Sequence, residues 1–148
     1  MLVGRMNEAE MGEMAYHMKG HLHDKHFTLE QSRLMIVGIT PMIQELVDLK
    51  GRLDQRGFDV YRHQYFGGGG SNGERFLPPE LERLVEIAKN LDKKGIVLKS
   101  LDDGLIDFPH IRSNDQEVYL CWKLGENDVN YWHTIEDGFP GRRPVKEL

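Results

Sequence analysis

The residues EVYLCWKL, at positions 117–124, decide the fold class. Apolar side chains recur at every second position, which is the period of a β-strand with one buried face. A helix would need them at spacings of three and four. The stretch therefore predicts a strand whose core face carries Val118, Leu120, Trp122 and Leu124.

Short apolar runs flank this strand on both sides. "IVLKSL" and "LIDFPHI" precede it and are separated by Asp103-Gly104, a strong hairpin signal. "VNYWHTI" follows it after "GEND". Consecutive strands joined by short turns usually pair with each other. The sequence therefore predicts a four-strand antiparallel meander over residues 96–135.

The predicted turns assign the side chains to two sheet faces. We place the hairpin tips between residues 103 and 104, 114 and 115, and 126 and 127. The core face then has three polar exceptions, Ser100, Asp107 and His133, with Ser100 opposite Asp107. Pro109 lacks an N–H and predicts a bulge nearby. The apolar residues of the predicted core face are Ile96, Leu98, Leu105, Ile111, Val118, Leu120, Trp122, Leu124, Val129, Tyr131 and Ile135. The opposite face is predicted to carry Phe108, His110, Tyr119, Cys121, Lys123, Asn130 and Trp132.

Two helices are predicted before the sheet. "TLEQ", at 28–31, is a capping box, and an apolar stripe that includes Ile36, Ile43 and Leu49 extends the helix over residues 28–56. Pro41 predicts a kink or a restart within it. "PPELERLVEIAKNLDKKG" predicts a second helix over 79–94. The glycine-rich stretch between them predicts an antiparallel hairpin.

These elements make the predicted fold class α+β. A two-helix antiparallel hairpin packs on a small four-strand antiparallel meander, in a single domain over residues 27–148. Residues 1–26 are predicted to be a Met- and His-rich helical extension. Its apolar side chains share one helical face: Met11, Met14, Met18 and Leu22.

Composition excludes several classes of protein. The net charge of the 148 residues is −5, and residues 99–137 hold nine acids against three bases, so this part is acidic. An acidic surface repels phosphate backbones, so nucleic-acid binding is not expected. No apolar run has the roughly 20 residues that cross a bilayer. Cys121 is the single cysteine, which fits a reducing cytoplasm.

Four motifs, "GLIDFP", "EVYLCWKLGE", "YWH" and "GFPGRRPV", resemble the signature of domain-of-unknown-function family 2203. The resemblance spans roughly residues 27–145 and is strongest over 104–144. It implies a small soluble prokaryotic protein. It implies no particular activity, cofactor or catalytic residue.

The stretch "HLHDKH", at 21–26, has the residue types of a metal site. His17 and His21 lie four apart and would share a helical face, as zinc ligands do. The order differs from the His-x-His-x-Asp-His pattern of metallo-β-lactamases, and no strand precedes it. We expect a polar join between two helices rather than an evolved site, with His17, His21, His23 and His26 as weak metal candidates.

The candidate catalytic residues are Asp107, His133 and Arg142. Asp107 and His133 are isolated polar groups on the predicted core face, so each is either a satisfied core residue or a proton-transfer group. Arg142 follows a Pro-Gly turn and either binds an anion or pairs with acidic strands. Cys121 is expected to be an inert thiol. The candidate ligand-binding residues are Trp122, Tyr131 and Glu126.

The leading hypothesis is a non-catalytic cytoplasmic binding or interaction protein. Its long apolar helix predicts a homodimer through the helices, with Ile36, Ile43 and Leu49 as exposed contacts in a single chain. No cofactor is expected. The alternative is a small enzyme, metal-assisted in one version, that acts on an anionic small molecule at Asp107, His133 and Arg142.

Overall fold

The structure is a computed structural model that describes residues 20–69 and 77–148. Two helices precede a five-strand antiparallel sheet, so the α+β class is confirmed. Residues 20–26, the described part of the predicted helical extension 1–26, are not helical, and the rest of that prediction lies outside the described residues. The elements are α1 (Leu29–Gln55), α2 (Pro79–Lys93), β1 (Val97–Ser100), β2 (Leu105–Ile111), β3 (Glu117–Lys123), β4 (Tyr131–Thr134) and β5 (Arg143–Pro144).

Helix α1 begins at the predicted capping box. The Thr28 hydroxyl accepts from the backbone N–H of Gln31, and the Gln31 side chain accepts from the N–H of Thr28. Pro41 lies inside the helix without dividing it into two. Helix α2 begins with Pro79 in its first turn and ends before Gly95, whose φ is +82°.

The two helices run antiparallel. Arg56, just past the end of α1, pairs with Glu80 at the start of α2, and Glu45 pairs with Arg83 further along both helices. Their facing sides and one sheet face enclose the core. Ile36, Ile43 and Leu49 are only 5%, 0% and 5% exposed. The prediction that these three are exposed contacts is therefore wrong, because α2 and the sheet cover them.

The strands follow the predicted meander in the order β1-β2-β3-β4-β5. The short strand β5, which pairs with β4 through Tyr131–Pro144 and Trp132–Arg143, was not predicted. A 3-10 helix, Phe139–Gly141, precedes it and brings the chain back to the sheet. The sheet therefore ends with the segment that contains Arg142.

The predicted register is wrong by one residue in the two central hairpins. Asp107 pairs with Cys121, where Trp122 was expected, and Leu120 pairs with Trp132, where His133 was expected. The β2–β3 loop explains the first slip. Arg112 and Gln116 close it with a hydrogen bond, and Asp115 between them has a φ of +68°, so the loop is odd-numbered.

A slip of one residue moves side chains to the other face of a sheet. Phe108 and Trp132 therefore lie on the core face, where they were not predicted. Asp107, Tyr131 and His133 lie on the second face, with Tyr119 and Cys121. The core face carries Ile106, Phe108, Val118, Leu120, Trp122 and Trp132.

The prediction of a bulge near Pro109 is wrong, because β2 pairs with β3 in continuous register through this residue. The irregularity in the sheet lies between Leu98 and Ser100 on β1. The carbonyl of Pro109 accepts from the N–H of Phe27, beyond the end of β1. The backbone nitrogen of Pro109, which has no hydrogen to donate, therefore faces away from β3. The proline removes no hydrogen bond between β2 and β3.

No helix in the described parts of the chain is long and apolar enough to span a membrane.

Candidate functional site

Three polar side chains lie together on the second face of the sheet. Asp107 on β2 is directly opposite Cys121 on β3, and His133 is on the neighbouring strand β4. One ligand atom from each lies within 4.8 Å of the others. Their exposed fractions are 1%, 0% and 2%, so the cluster is enclosed.

The imidazole of His133 lies between two sets of acceptor oxygens. Its Nε2 is 3.1 and 3.2 Å from the two carboxylate oxygens of Asp107. Its Nδ1 is 2.7 Å from the backbone carbonyl oxygen of Thr134, which can only accept. Without a bound cation, one proton lies on Nδ1 and a second is shared by Nε2 and the Asp107 carboxylate, which is the geometry of a buried ion pair.

The pKa values of the cluster follow from its burial and its charges. Burial alone lowers the pKa of His133, but the hydrogen bond and the negative charge of Asp107 outweigh it, and the pKa is raised. Burial raises the pKa of the Cys121 thiol, and the charge of Asp107 raises it further. Burial and Asp107 also raise the pKa of Tyr119, to about 12. At neutral pH, Cys121 is therefore a neutral thiol.

Residues 21–26 cover one side of this face. The Nε2 of His23 is 2.6 Å from the Tyr119 hydroxyl. The Glu117 carboxylate accepts from the backbone N–H groups of Leu22 and His23, at 2.5 and 3.0 Å, and lies 2.7 Å from the Nε2 of His26. The stretch that contains "HLHDKH" is therefore fixed to β3, and we call it the N-terminal strap.

The C-terminal turn covers the other side. Arg142 donates to the Glu126 carboxylate at 2.7 Å and to the Cys121 carbonyl oxygen at 3.4 Å. Its guanidinium lies 4.1 Å from the ring centroid of Tyr131 and 4.8 Å from that of Phe139. This combination of ion pair and aromatic stacking uses the planar geometry of arginine.

The structure brings the predicted catalytic residues together only in part. Asp107 and His133 are in direct contact, whereas Arg142 reaches the backbone of Cys121 and pairs with Glu126. Of the predicted binding residues, Tyr131 and Glu126 contact Arg142. Trp122 lies on the core face, and its indole N–H donates to the Glu126 carbonyl at 3.1 Å.

The neighbours of Asp107 differ from the predicted ones. Ser100 was expected to donate to it, but Ser100 pairs with Leu105 across the strands, and its hydroxyl donates to Asp103 at 3.2 Å. Cys121 also has other neighbours than predicted. Asp107 and Tyr131 lie opposite it, where Phe108 and Trp132 were expected.

The weak metal candidates lie in the N-terminal strap. The rings of His21 and His26 are 5.4 Å apart, and the Nε2 of His21 is 3.4 Å from Asp115. His17 lies outside the described residues. Within the described residues, a geometric grouping of three possible metal ligands occurs only at Asp107, Cys121 and His133.

Sequence reasoning missed the role of Cys121, Tyr119 and Glu117 in this site. The alternation of "EVYLCWKL" already separates these three from the core face. "LIDFPHI" points to the same face assignment. Ile106 and Phe108 are the bulkiest pair of apolar side chains at alternate positions in it, so they are the expected core residues of β2. Aligning that pair with Leu120 and Trp122 would have placed Asp107 beside Cys121.

Among known proteins, similarity to this chain is found in one protein family. No curated protein matches the chain. No solved structure matches it either. One family model, described as "Uncharacterized conserved protein (DUF2203)", matches residues 25–145. That match covers most of the 148 residues and all of the elements described above, so the chain belongs to the DUF2203 family.

Proposed function

We propose that this protein is a non-catalytic cytoplasmic interaction protein, and that a second copy of the chain binds the outer face of α1. The observation that carries the proposal is the stretch "LMIVGITPMIQ", at 34–44, which contains no charged residue. Leu34 and Val37 within it are 76% and 77% exposed, the highest values among the large apolar side chains of the described residues.

The two halves of α1 differ in charge. A helix on a protein surface normally carries charged side chains on its outer face. Residues 45–56 follow this rule, with five charged side chains besides the buried Lys50. Residues 34–44 do not, although Pro41 and Gln44 are exposed there as well. An exposed strip without charge that runs through Leu34, Val37 and Pro41 supports a covered face.

The shape of this face suits a symmetric contact. Gly38 lies between Val37 and Pro41, and a Cβ built at Gly38 meets no atom within 4 Å. A partner helix therefore has room to approach the backbone there. Beside Gly38 lies a groove of about 680 Å³. Its apolar lining is Phe27, Leu34, Met35, Ile39 and Met42, and Lys25, His26, Gln31 and Lys94 also line it. In a two-fold pairing centred near Gly38, the exposed Leu34 of each copy faces the groove of the other.

The alternative is a small enzyme that acts on an anionic molecule at Asp107, His133 and Arg142. It has less support. Asp107 and His133 are almost fully buried, and Arg142 is bound to Glu126 and lies against the rings of Tyr131 and Phe139. A substrate would have to displace these contacts before it met the imidazole.

The test is a matched pair of variants on one helix, Gly38→Glu and Gly51→Glu. Both glycines are exposed, and at both a Cβ meets open space. Both substitutions replace glycine with a better helix former, so neither is expected to destabilise the fold. Gly51 lies in the charged half of α1, outside the proposed interface.

Sedimentation velocity at micromolar concentration gives the outcome. The parent and Gly51→Glu should have at least twice the chain mass of 17.1 kDa, and Gly38→Glu should be a monomer. A monomeric parent would contradict self-association. A Gly38→Glu protein with the mass of the parent would place the interface elsewhere.

A further inference from the structure

Asp107, Cys121 and His133 have the spacing of metal ligands. Their ligand atoms lie within 4.8 Å of one another. In a tetrahedral zinc site with ordinary bond lengths, neighbouring ligand atoms are about 3.3–3.6 Å apart. The Nε2 of His133 is already 3.1 and 3.2 Å from the carboxylate oxygens, so small movements would place a cation between the three side chains.

The hydrogen bonds of His133 orient its ring for this role. Because Nδ1 is 2.7 Å from the Thr134 carbonyl oxygen, Nδ1 carries a hydrogen. In the neutral tautomer, the lone pair of Nε2 then points at the Asp107 carboxylate, and a cation there would satisfy both groups. Metal-binding histidines characteristically fix their other ring nitrogen on a carbonyl or a carboxylate in this way.

The donor set selects a class of metal. A thiolate, an imidazole and a carboxylate together suit divalent transition metals such as zinc, whereas magnesium and calcium prefer oxygen ligands alone. The ionised carboxylate and thiolate together carry a charge of about −2, which one divalent cation neutralises. Binding would release the thiol proton and the second imidazole proton.

We propose that Asp107, Cys121 and His133 bind one divalent transition-metal ion of the zinc class. The site goes beyond the proposed self-association, because it lies on the sheet face opposite the one that packs on the helices. Its ligands come from β2, β3 and β4, so the ion links three strands under the N-terminal strap. The three ligands leave the fourth position of a tetrahedral ion to a water or hydroxide. Because the ligands come from three strands, binding of the ion stabilises the folded sheet.

A cobalt titration of the whole chain tests the site. Co²⁺ is added to chelator-treated, reduced protein, and absorption is followed from the near-ultraviolet to the visible. We expect saturation at one Co²⁺ per chain, a thiolate-to-cobalt charge-transfer band, and loss of the band when Zn²⁺ is added. Cys121 is the single cysteine of the chain, so this band can come only from Cys121.

Variants separate this site from the histidines of the strap. Cys121→Ser should abolish the band. Asp107→Asn should weaken Co²⁺ binding by at least about 10-fold, since that is the loss when only an outer-shell partner of a ligand is removed. The control, His21→Gln with His26→Gln, should keep the band and the affinity of the parent.

Two results would overturn the proposal. One is a folded parent that shows no thiolate band with excess Co²⁺. The other is Co²⁺ binding that is lost in the histidine control and retained in Cys121→Ser. If Cys121→Ser does not fold, the titration of the parent still decides, because no other side chain of the chain can produce the band.

Discussion

The Nε2 of His133 lies 3.1 and 3.2 Å from the two carboxylate oxygens of Asp107, and these residues are 2% and 1% exposed. In the metal-free protein this contact is a buried ion pair. Removing one partner of such a pair leaves an uncompensated charge in a medium that solvates it poorly. Each residue therefore depends on the other for the stability of the second sheet face.

Replacing Asp107 with Asn should destabilise the metal-free protein. The amide keeps the size of the side chain but removes its charge, and we expect a loss of about 3–5 kcal/mol in the free energy of unfolding. Urea unfolding followed by circular dichroism in the presence of a chelator measures it. Asp103→Asn, at an exposed turn, is the control and should change stability by less than about 0.5 kcal/mol. If both variants changed the free energy of unfolding by the same amount, the buried pair would contribute no more to stability than an exposed aspartate.

The N-terminal strap should loosen at acidic pH. Burial lowers the pKa of His23 below 6.5, with His26 and Lys99 acting in the same direction, and these outweigh the opposite effects of Glu117 and Asp24. A lowered pKa means that the unfolded chain binds the proton more readily than the folded chain. The contribution of His23 to stability is therefore present above pH 6.5 and is lost as the pH falls through its folded pKa.

His23→Gln isolates this effect, because glutamine keeps a hydrogen-bonding group near Tyr119 but does not titrate. The free energy of unfolding of the parent, minus that of His23→Gln, should decrease between pH 7.5 and pH 5. A difference that stays constant or increases over this range would mean that His23 does not sense pH.

Gly104→Ala tests the packing of α1 on the sheet. A Cβ at Gly104 would lie 2.8 Å from the Cβ of Leu124 and 2.9 Å from the Cγ2 of Ile43, at a φ of +64°. Gly57, with a φ of +72° and open space around it, is the matched control. We expect Gly57→Ala to cost about 1–2 kcal/mol for its backbone alone. Gly104→Ala should cost about 1–3 kcal/mol more, since it also overpacks the core. Equal melting temperatures of the two variants would contradict the close approach of α1 to the sheet.

A double-mutant cycle decides the role of Arg142. Arg142→Gln removes the positive charge and the stacking on Tyr131, and Glu126→Gln removes the other half of the ion pair. If Arg142 fastens the C-terminal turn, the cycle should give a coupling of about 0.5–3 kcal/mol in the free energy of unfolding. A coupling of zero would mean that Arg142 does not fasten the C-terminal turn, and would favour a role for Arg142 in anion binding.

The fold class could be predicted from local patterns, because each element has its own signal. The capping box at Thr28, the proline in the first turn of α2 and the alternation of β3 each act within a few residues. The pairing of strands depends on loop geometry, which is less local. Asp115, with its φ of +68°, makes the β2–β3 loop odd-numbered, and this one residue reverses the predicted faces of β2.

The candidate site could be predicted only in part for the same reason. Asp107 and His133 stood out as polar groups among apolar ones, and that signal survives an error in register. The position of Cys121 between them depends on the register itself. The bond between His23 and Tyr119 joins residues 96 positions apart, and no local pattern reports such a contact.

Disulfide trapping tests the central claim, self-association through the outer face of α1, most directly. In the proposed pairing the two copies of Gly38 lie side by side, and a disulfide requires Cα atoms within about 7 Å. Gly38→Cys, mildly oxidised at micromolar concentration, should run on a non-reducing gel at twice 17.1 kDa, while Gly51→Cys stays a monomer. The buried Cys121 of the parent is the background control. A Gly38→Cys protein that forms no covalent dimer, or no more than Gly51→Cys, would contradict the account.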